Sequence, residues 1–313
     1  MIKNILFAGA ILSVFASCQP QESKQEQEKS TQADTAQTLV PEGTLVVPGQ
    51  TLAVDAENGG KIKSITIDGK NFLTGPEINA DNWGSTFWTS PQSAWGWPPA
   101  KEINQNAYKA EYSESLIKMT SEKDSIQGYV ITKSISPNVT DTSFSVVYSI
   151  ANQSEKDGNV APWEITRVEP NGITFFPTGK VKKTGLLAPL VKDLNGITWF
   201  DYSAVTIPSG VPKLLADGAE GWLAQVNNGY ILVKVFEDVP LEKNAPGEGE
   251  IEIYTNPDKS YIEVEQQGAY AMLKKDESVN WTVKWILRKL PEGLEAKAGS
   301  ESLVAYARKL AGK

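Results

Sequence analysis

Residues 81–99 read DNWGSTFWTSPQSAWGWPP and contain four of the nine tryptophans in the chain, at Trp83, Trp88, Trp95 and Trp97. Ser90-Pro91 and Pro98-Pro99 interrupt the row of backbone N–H donors that a strand needs. Gly84 and Gly96 stand beside indoles, where the chain must turn sharply or let another group approach closely. The stretch therefore predicts an ordered aromatic loop rather than an ordinary strand.

The side chains of this loop suit the binding of a sugar. An indole offers a wide apolar face and one N–H donor, so it can stack on the C–H face of a sugar ring. Gln92 and Ser93 are placed to reach the hydroxyls of the same ring. We therefore expect carbohydrate contacts from Trp88, Gln92, Trp95 and Trp97. The alternative is that these tryptophans close the open end of a β-sandwich.

On both sides of the loop, short β-type runs alternate with turn signals. Asp68-Gly69 predicts a two-residue hairpin turn, and Asn227-Asn228-Gly229 is a polar separator of the same kind. The clearest runs are 45–47, 52–56, 62–67, 116–119, 126–136, 144–150, 163–168, 173–176, 221–226, 230–236, 251–254, 261–267 and 279–287. Many short strands without intervening helices predict an all-β antiparallel sandwich in one domain, residues 44–313. Ser300 to Leu310 predicts a short C-terminal helix with Ser300 as its N-cap.

The first 18 residues resemble a bacterial lipoprotein signal peptide. Lys3 is followed by an apolar run from Ile5 to Phe15, and Cys18 is the only cysteine of the chain. This arrangement predicts lipidation of Cys18 and a lipid-anchored protein of the bacterial cell envelope, attached to the membrane through that anchor. The alternative is a secretory signal with a chance cysteine. Residues 19–43 are rich in Gln, Glu, Ser and Thr, so they predict a disordered tether.

Composition excludes several classes of function. The formal net charge is -8 and the isoelectric point is near 4.9, which disfavours nucleic acid as a partner because phosphate contacts need Lys and Arg. The chain has no histidine, so any catalysis must use carboxylates, Tyr, Lys or Arg. No metal-binding, phosphate-loop or Gly-x-Ser-x-Gly motif is present, and we expect no metal and no cofactor.

Three segments together resemble the galactose mutarotase-like superfamily, which includes aldose 1-epimerases. They are GGKIKSITIDGK at 59–70, YIEVEQQ at 261–267, and a C-terminal segment from Leu273 to Trp285. With FWTSPQSAWGWPP and APWEITRV added, the chain resembles the DUF4380 branch of that superfamily, over roughly Thr44 to Leu290. The resemblance implies an antiparallel β-supersandwich of galactose mutarotase-like type, with a carbohydrate site on its concave face.

The resemblance also implies a role for one glutamate. In aldose epimerases a glutamate in a Glu-x-Gln context takes the proton of the anomeric hydroxyl, and Glu265 with Gln267 matches that motif. A histidine supplies the acid in those enzymes, and this chain has none. Strand alternation independently places Glu263, Glu265 and Gln267 on one polar face, where they can bind sugar hydroxyls.

The segment APWEITRV supplies the remaining candidates. Alternation places Trp163 with Arg167, and Arg167 suits an anionic sugar such as a uronate. If Glu164 shares a cleft with Glu265, Glu164 is the possible acid, and the two carboxylates would flank a glycosidic bond at about 5 to 5.5 Å for retention or about 6.5 to 9.5 Å for inversion. The alternative is a structural Glu–Arg pair at a sandwich edge.

Three hypotheses follow for the whole protein. The first is an envelope carbohydrate-binding protein. The second is a sugar-active enzyme, either an epimerase or a glycan hydrolase or lyase, with Glu265 as base. The third is a structural envelope protein whose tryptophans are core. Exposed indoles that line a cleft favour the first two, and fully buried indoles favour the third.

Overall fold

A computed structural model describes residues 40–202 and 207–313 of the chain. The predicted signal peptide, its Cys18 and nearly all of the predicted tether lie outside these ranges. The strands of the described part form two antiparallel sheets of ten strands each. This arrangement confirms the all-β prediction.

The first sheet carries most of the residues that matter for function. Its spatial order is β1 (Thr44–Val47), β2 (Gln50–Asp55), β3 (Lys61–Ile67), β5 (Ser85–Ser90), β10 (Gly158–Val168), β18 (Ile262–Gln267), β17 (Ile251–Thr255) and β14 (Lys213–Ala216), with β4 (Lys70–Asn71) beside β3 and β19 (Ala271–Leu273) beside β10.

The second sheet packs against one face of the first. Its spatial order is β12 (Lys192–Leu194), β13 (Ile197–Asp201), β11 (Ile173–Pro177), β15 (Trp222–Asn227), β16 (Tyr230–Val235), β20 (Ser278–Lys289), β9 (Ser143–Asn152), β8 (Tyr129–Asn138), β7 (Ile117–Thr120) and β6 (Lys109–Tyr112). Alternating apolar residues of both sheets, such as Ile62 and Val264 of the first and Val146 and Val283 of the second, form the main core.

Part of the aromatic stretch is a strand, so the prediction of a loop over all of 81–99 is wrong. Residues 85–90, STFWTS, form β5, which is buried throughout and lies between β3 and β10. Pro91 follows the last residue of the strand, where it removes no hydrogen bond from the ladder. The β-branched and aromatic residues of STFWTS favour an extended chain. Only the remainder, residues 81–84 and 91–99, is loop, with a short 3₁₀ turn at Gln92–Ala94.

The predicted hairpin at Asp68-Gly69 is confirmed. Ile67 pairs with Lys70, which leaves a two-residue loop whose φ angles are 52° and 73°. Both values are positive, as a type I′ turn requires, and this turn matches the twist of the two strands. Asn228-Gly229 joins β15 to β16 in the same way, with φ angles of 48° and 79°.

The predicted C-terminal helix is also confirmed. It is α2 (Glu301–Ala311), and the Ser300 hydroxyl accepts a hydrogen bond from the backbone N–H of Leu303 at 3.3 Å. Leu303, Val304 and Ala307 pack on the outer face of the second sheet in a separate apolar cluster. Within the described ranges the other α-helix is the single turn α1 (Lys101–Asn104). Neither helix within residues 40–202 and 207–313 is long and apolar enough to cross a membrane.

A buried polar cluster joins the two sheets. Glu164 of β10 forms an ion pair with Lys234 of β16, and both side chains are almost fully buried. The same carboxylate accepts hydrogen bonds from the Tyr148 hydroxyl, the Gln266 amide and the Trp285 indole. The face of β10 and β18 that carries Glu164 and Gln266 is therefore turned toward the second sheet. Their alternate residues point to the opposite face.

Candidate functional site

A cavity of 310 Å³ opens on the face of the first sheet that is turned away from the second. Its aromatic lining consists of Trp88, Trp97, Trp163, Tyr254 and Tyr261. Its charged lining consists of Lys213, Glu252, Glu263 and Glu265. Amide side chains at Asn82, Gln92 and Asn256 complete the polar part of the wall. We call this cavity the tryptophan–glutamate pocket.

Strand register brings these side chains together. Across the β17–β18 pair Glu252 lies opposite Glu265, and across the β14–β17 pair Lys213 lies opposite Tyr254. Trp163 of β10 lies opposite Trp88 of β5. Because neighbours in register point to the same face, five adjacent strands contribute one wall.

The aromatic residues form a buried floor and one exposed edge. Trp88 and Trp163 are buried and meet edge to face, with ring centroids 5.4 Å apart. The Trp97 ring lies 5.9 Å from Trp88 and is 62% exposed. Trp97 is thus the indole that is open to a ligand, and Trp88, which itself packs on Trp163, supports it from below. Gln92, also a predicted contact, lines the pocket beside them.

Trp95 does not line the pocket. It is half-buried behind the wall, and its indole N–H donates to the backbone oxygen of Thr89 at 2.7 Å. Its ring packs edge to face on Trp88 at 5.9 Å. Trp95 therefore fixes the loop after β5 rather than facing a ligand.

The three pocket carboxyl groups differ in whether a cation lies beside them. The Glu252 carboxylate lies 2.6 Å from the Lys213 ammonium. Glu263 lies 2.7 Å from the Arg167 guanidinium. Glu265, 1% exposed, accepts a hydrogen bond on Oε2 from the Trp163 indole at 2.7 Å, whereas its Oε1 has no hydrogen-bond partner among the described residues. Glu265 alone of the three has no direct ion-pair partner in this part of the structure.

Burial shifts the pKa of each of these glutamates upward. Burial, the nearby Glu252 and the nearby Glu263 raise the pKa of Glu265 well above its usual range. Burial raises the pKa of Glu252 to about 7, although Lys213 opposes the shift. Burial lowers the pKa of Lys213, but Glu252 and the other nearby glutamates raise it by more, so its pKa lies above the usual value. These causes favour the protonated form of Glu265, and a cation placed beside its carboxyl group would oppose the shift.

Arg167 and Gln267 lie behind the pocket rather than in its lining. The Arg167 guanidinium is fully buried between the rings of Trp88 and Tyr261, 5.5 and 5.9 Å from their centroids. Gln267 accepts a hydrogen bond from the Ser90 hydroxyl at 2.6 Å. Arg167 holds Glu263 in place, so the predicted direct contact of Arg167 with a uronate is not supported.

Glu164 does not face the pocket, so the predicted pairing of Glu164 with Glu265 in one cleft is wrong. Glu164 lies opposite Gln266 in the β10–β18 register, whereas Glu265 lies opposite Ile165. Adjacent strand positions point to opposite faces. The Glu164 carboxylate is held in a buried ion pair with Lys234 between the sheets. It therefore cannot serve as an acid for a ligand in the pocket.

Sequence reasoning missed Lys213, Glu252, Tyr254 and Asn256. Glu252 and Tyr254 share one face of the run IEIYT at 251–255, and a polar turn joins this run to YIEVEQQ. Reading the two runs as a hairpin would have placed Glu252 beside Glu265. Lys213 carries no such signal, because its strand β14 is short and follows an irregular segment.

A shallower groove of 440 Å³ adjoins the pocket. The two share Gln92, Trp97 and Lys213, and the groove continues past Ser93 and Glu248. The backbone N–H of Gln92 donates to the Glu248 carboxylate at 2.8 Å, which ties the loop after β5 to the segment before β17. Among the described ranges, no three His, Cys, Asp or Glu side chains are arranged to hold a metal ion.

Solved structures resemble this chain along most of its length. A galactose mutarotase-like protein from Lactobacillus casei is 13% identical, with a TM-score of 0.57, covering 79% of this chain and 100% of its own. A galactose mutarotase related enzyme from Lactobacillus acidophilus is 9% identical, with a TM-score of 0.56, over 82% and 100%. A candidate aldose 1-epimerase from Escherichia coli K12 is 11% identical, with a TM-score of 0.55, over 80% and 99%.

Sequence comparison adds no closer relative. No protein-family model and no curated protein matches the chain. The likeness therefore rests on the arrangement of the two sheets. The chain has the galactose mutarotase-like fold.

Proposed function

We propose that this protein binds a carbohydrate in the tryptophan–glutamate pocket. The observation that carries the proposal is the exposed Trp97 indole beside the buried Glu265 carboxyl, whose Oε1 has no hydrogen-bond partner among the described residues. A sugar ring presents an apolar face and a rim of hydroxyls, so it matches a stacking wall with hydrogen-bonding groups next to it.

The size of the site supports the same ligand class. A cavity of 310 Å³ lies at the lower end of the range for small-molecule sites. It suits one or two sugar units, and the adjoining groove past Ser93 offers room for further units. The ligand is therefore a mono- or oligosaccharide. The solved structures of similar fold that are named as galactose mutarotase-like or mutarotase related point to the same class.

Replacing Trp97 by Ala tests the stacking wall. We expect sugar binding to weaken by about 1 to 3 kcal/mol, because the variant loses the apolar face that covers the ring. Stability should change by less than about 0.5 kcal/mol, because the side chain is exposed. Calorimetric titration with the sugars of a glycan array, together with thermal melts, measures both quantities.

Tyr112→Ala is the matched control for this variant. Tyr112 is a partly exposed aromatic residue of β6, in the second sheet, and it does not line the pocket. Its removal should leave sugar affinity unchanged. Equal affinities of the wild type and Trp97→Ala would remove Trp97 from the site.

A sugar-active enzyme is the second candidate, favoured by the position of Glu265. A buried carboxyl with a raised pKa in a cleft is typical of proton transfer. Because the shift favours the protonated form, Glu265 is better suited to donate a proton than to act as the base that the family resemblance implies. Anomeric exchange of free hexoses, followed by NMR, tests this candidate. Wild-type exchange no faster than buffer would exclude the epimerase form of it.

We also propose that the protein is lipid-anchored through Cys18 in the cell envelope and belongs to the DUF4380 branch. The basis is the lipobox-like sequence before the only cysteine, and the segments FWTSPQSAWGWPP and APWEITRV. A pocket with an exposed indole favours ligand binding over the purely structural envelope role. The tether of residues 19–43 would hold the sugar site away from the membrane surface.

Cys18→Ser tests the anchor. We expect this variant to lose incorporation of a fatty-acid analogue and to leave the membrane fraction, because the acylated cysteine would be its only anchor. Metabolic labelling and membrane fractionation of both proteins are the measurements. Equal label in the wild type and in Cys18→Ser would refute the proposal.

A further inference from the structure

The carboxyl groups of the tryptophan–glutamate pocket outnumber the cations that lie beside them. Three carboxyl groups line it, at Glu252, Glu263 and Glu265, and among the described residues Lys213 is the one cation in the lining. Arg167 adds a second positive charge from behind the wall. If all five groups were ionised, the site would hold one net negative charge, and no group supplied by the lining compensates it.

The two cations are already engaged by other carboxylates. Lys213 lies 2.6 Å from Glu252, and Arg167 lies 2.7 Å from Glu263. Arg167 is fully buried between aromatic rings and cannot turn toward a ligand without leaving Glu263 unpaired. Neither cation is therefore free to receive an anionic group, and the three glutamates would repel one.

Glu265 is the carboxyl group of the pocket that has no cation beside it among the described residues. Glu265 lines the pocket; its Oε2 accepts the Trp163 indole N–H, and its buried Oε1 has no hydrogen-bond partner in the described ranges. A protonated amine could donate to this oxygen, and its positive charge would favour the ionised form of Glu265 against the effect of burial. Hydrogen bonds to charged groups are about twice as strong as those between neutral groups.

The aromatic lining also favours a cation. The protein's own cations already lie over three of its rings: Arg167 over Trp88 and Tyr261, and Lys213 at 5.8 Å from the Trp163 centroid. Electron-rich ring faces attract positive charge. Trp97, the exposed indole, and Tyr254 present further ring surface to the same space.

We infer that the pocket selects a cationic sugar, one that carries a protonated amine in place of a hydroxyl, and that this amine is bound by Glu265. The inference rests on the proposed carbohydrate site and specifies its ligand class. It orders the ligands by charge: ammonium sugars bind best, neutral sugars less tightly and uronates least tightly.

The test compares sugars that differ only at carbon 6. In both the glucose and galactose series, the 6-amino-6-deoxyhexose, the neutral hexose and the hexuronate are titrated into the full-length chain by calorimetry. The 2-amino-2-deoxyhexoses are added to test the second common amine position. We expect the best amino sugar to bind about tenfold to a hundredfold more tightly than its neutral parent.

Glu265→Gln gives the residue-level test. The amide keeps the size of the side chain but cannot carry a negative charge, so the preference for the amino sugar should disappear while the neutral hexose changes much less. Glu111→Gln is the control, because Glu111 is an exposed glutamate of β6 in the second sheet, and it should keep the full preference.

Each outcome decides one of two claims. If the amino sugar binds more tightly than the neutral hexose, and only Glu265→Gln loses this preference for the amino sugar, the inference is supported. If neutral hexoses or uronates bind as tightly as amino sugars, the charge selection is overturned, but the carbohydrate site stands. If no sugar of any charge binds, here or on a glycan array, the proposed function itself fails.

Discussion

Replacing Glu164 by Ala is expected to lower the free energy of unfolding by about 3 to 5 kcal/mol. The carboxylate is the only negative partner of the fully buried Lys234 among its described contacts, and it also accepts hydrogen bonds from Tyr148, Gln266 and Trp285. Its removal leaves a buried ammonium without a counter-charge and three buried donors without this acceptor. Urea unfolding followed by circular dichroism measures the loss.

A double variant separates the ion pair from the rest of the site. Glu164→Leu with Lys234→Met replaces both charges by apolar groups of similar size, and such replacements of buried pairs are often neutral. We therefore expect the double variant to recover most of the stability that Glu164→Ala loses. A double variant as unstable as the single one would show that the hydrogen bonds to Glu164, not its charge, hold the two sheets together.

Arg167→Met should also destabilise the protein, by about 3 to 5 kcal/mol near neutral pH. Arg167 is fully buried and is the charge partner of Glu263 at 2.7 Å, so the variant leaves that carboxylate uncompensated. Burial already raises the pKa of Glu263, and Arg167 opposes that shift. Without Arg167 the pKa of Glu263 rises further.

The pH dependence of this loss follows from the direction of the shift. Below the raised pKa of Glu263 the carboxyl takes up a proton and no longer needs a cation, so the variant should lose less stability at pH 5 than at pH 7.5. Denaturant unfolding of both proteins at the two pH values is the measurement. Adding Glu263→Gln to Arg167→Met should remove the pH dependence. An equal loss at both pH values would mean that Arg167 contributes through packing on Trp88 and Tyr261 rather than through charge.

Period-two alternation predicted much of the fold and part of the site from sequence. It placed Glu263 and Glu265 on one face of β18, and both line the pocket. It also separated Trp163 and Arg167 from Glu164, yet it could not show which of the two faces meets the second sheet. That choice depends on packing between distant strands, here on Lys234 of β16 reaching Glu164.

Two other features of the structure could not be predicted from the local sequence pattern. The prolines around β5 pointed to a loop, although Pro91 lies just after the strand rather than within it. Lys213 faces Glu252 because β14 pairs with β17, which is separated from it by β15 and β16 of the other sheet. Such long-range pairings are set by the whole fold, and no run of a few residues specifies them.

The most direct test of the central claim uses the tryptophan indoles as reporters. Nine tryptophans give nine indole N–H signals in an ¹⁵N correlation spectrum, and single substitutions assign them. On titration with a sugar found on a glycan array, the signals of Trp97 and Trp163 should move, since both line the pocket and Trp163 donates to Glu265. Those of Trp199 and Trp222, which lie in the apolar cluster beneath α2, should stay in place. Movement confined to Trp199 and Trp222, or no movement with a sugar that binds, would contradict the assignment of the tryptophan–glutamate pocket as the carbohydrate site.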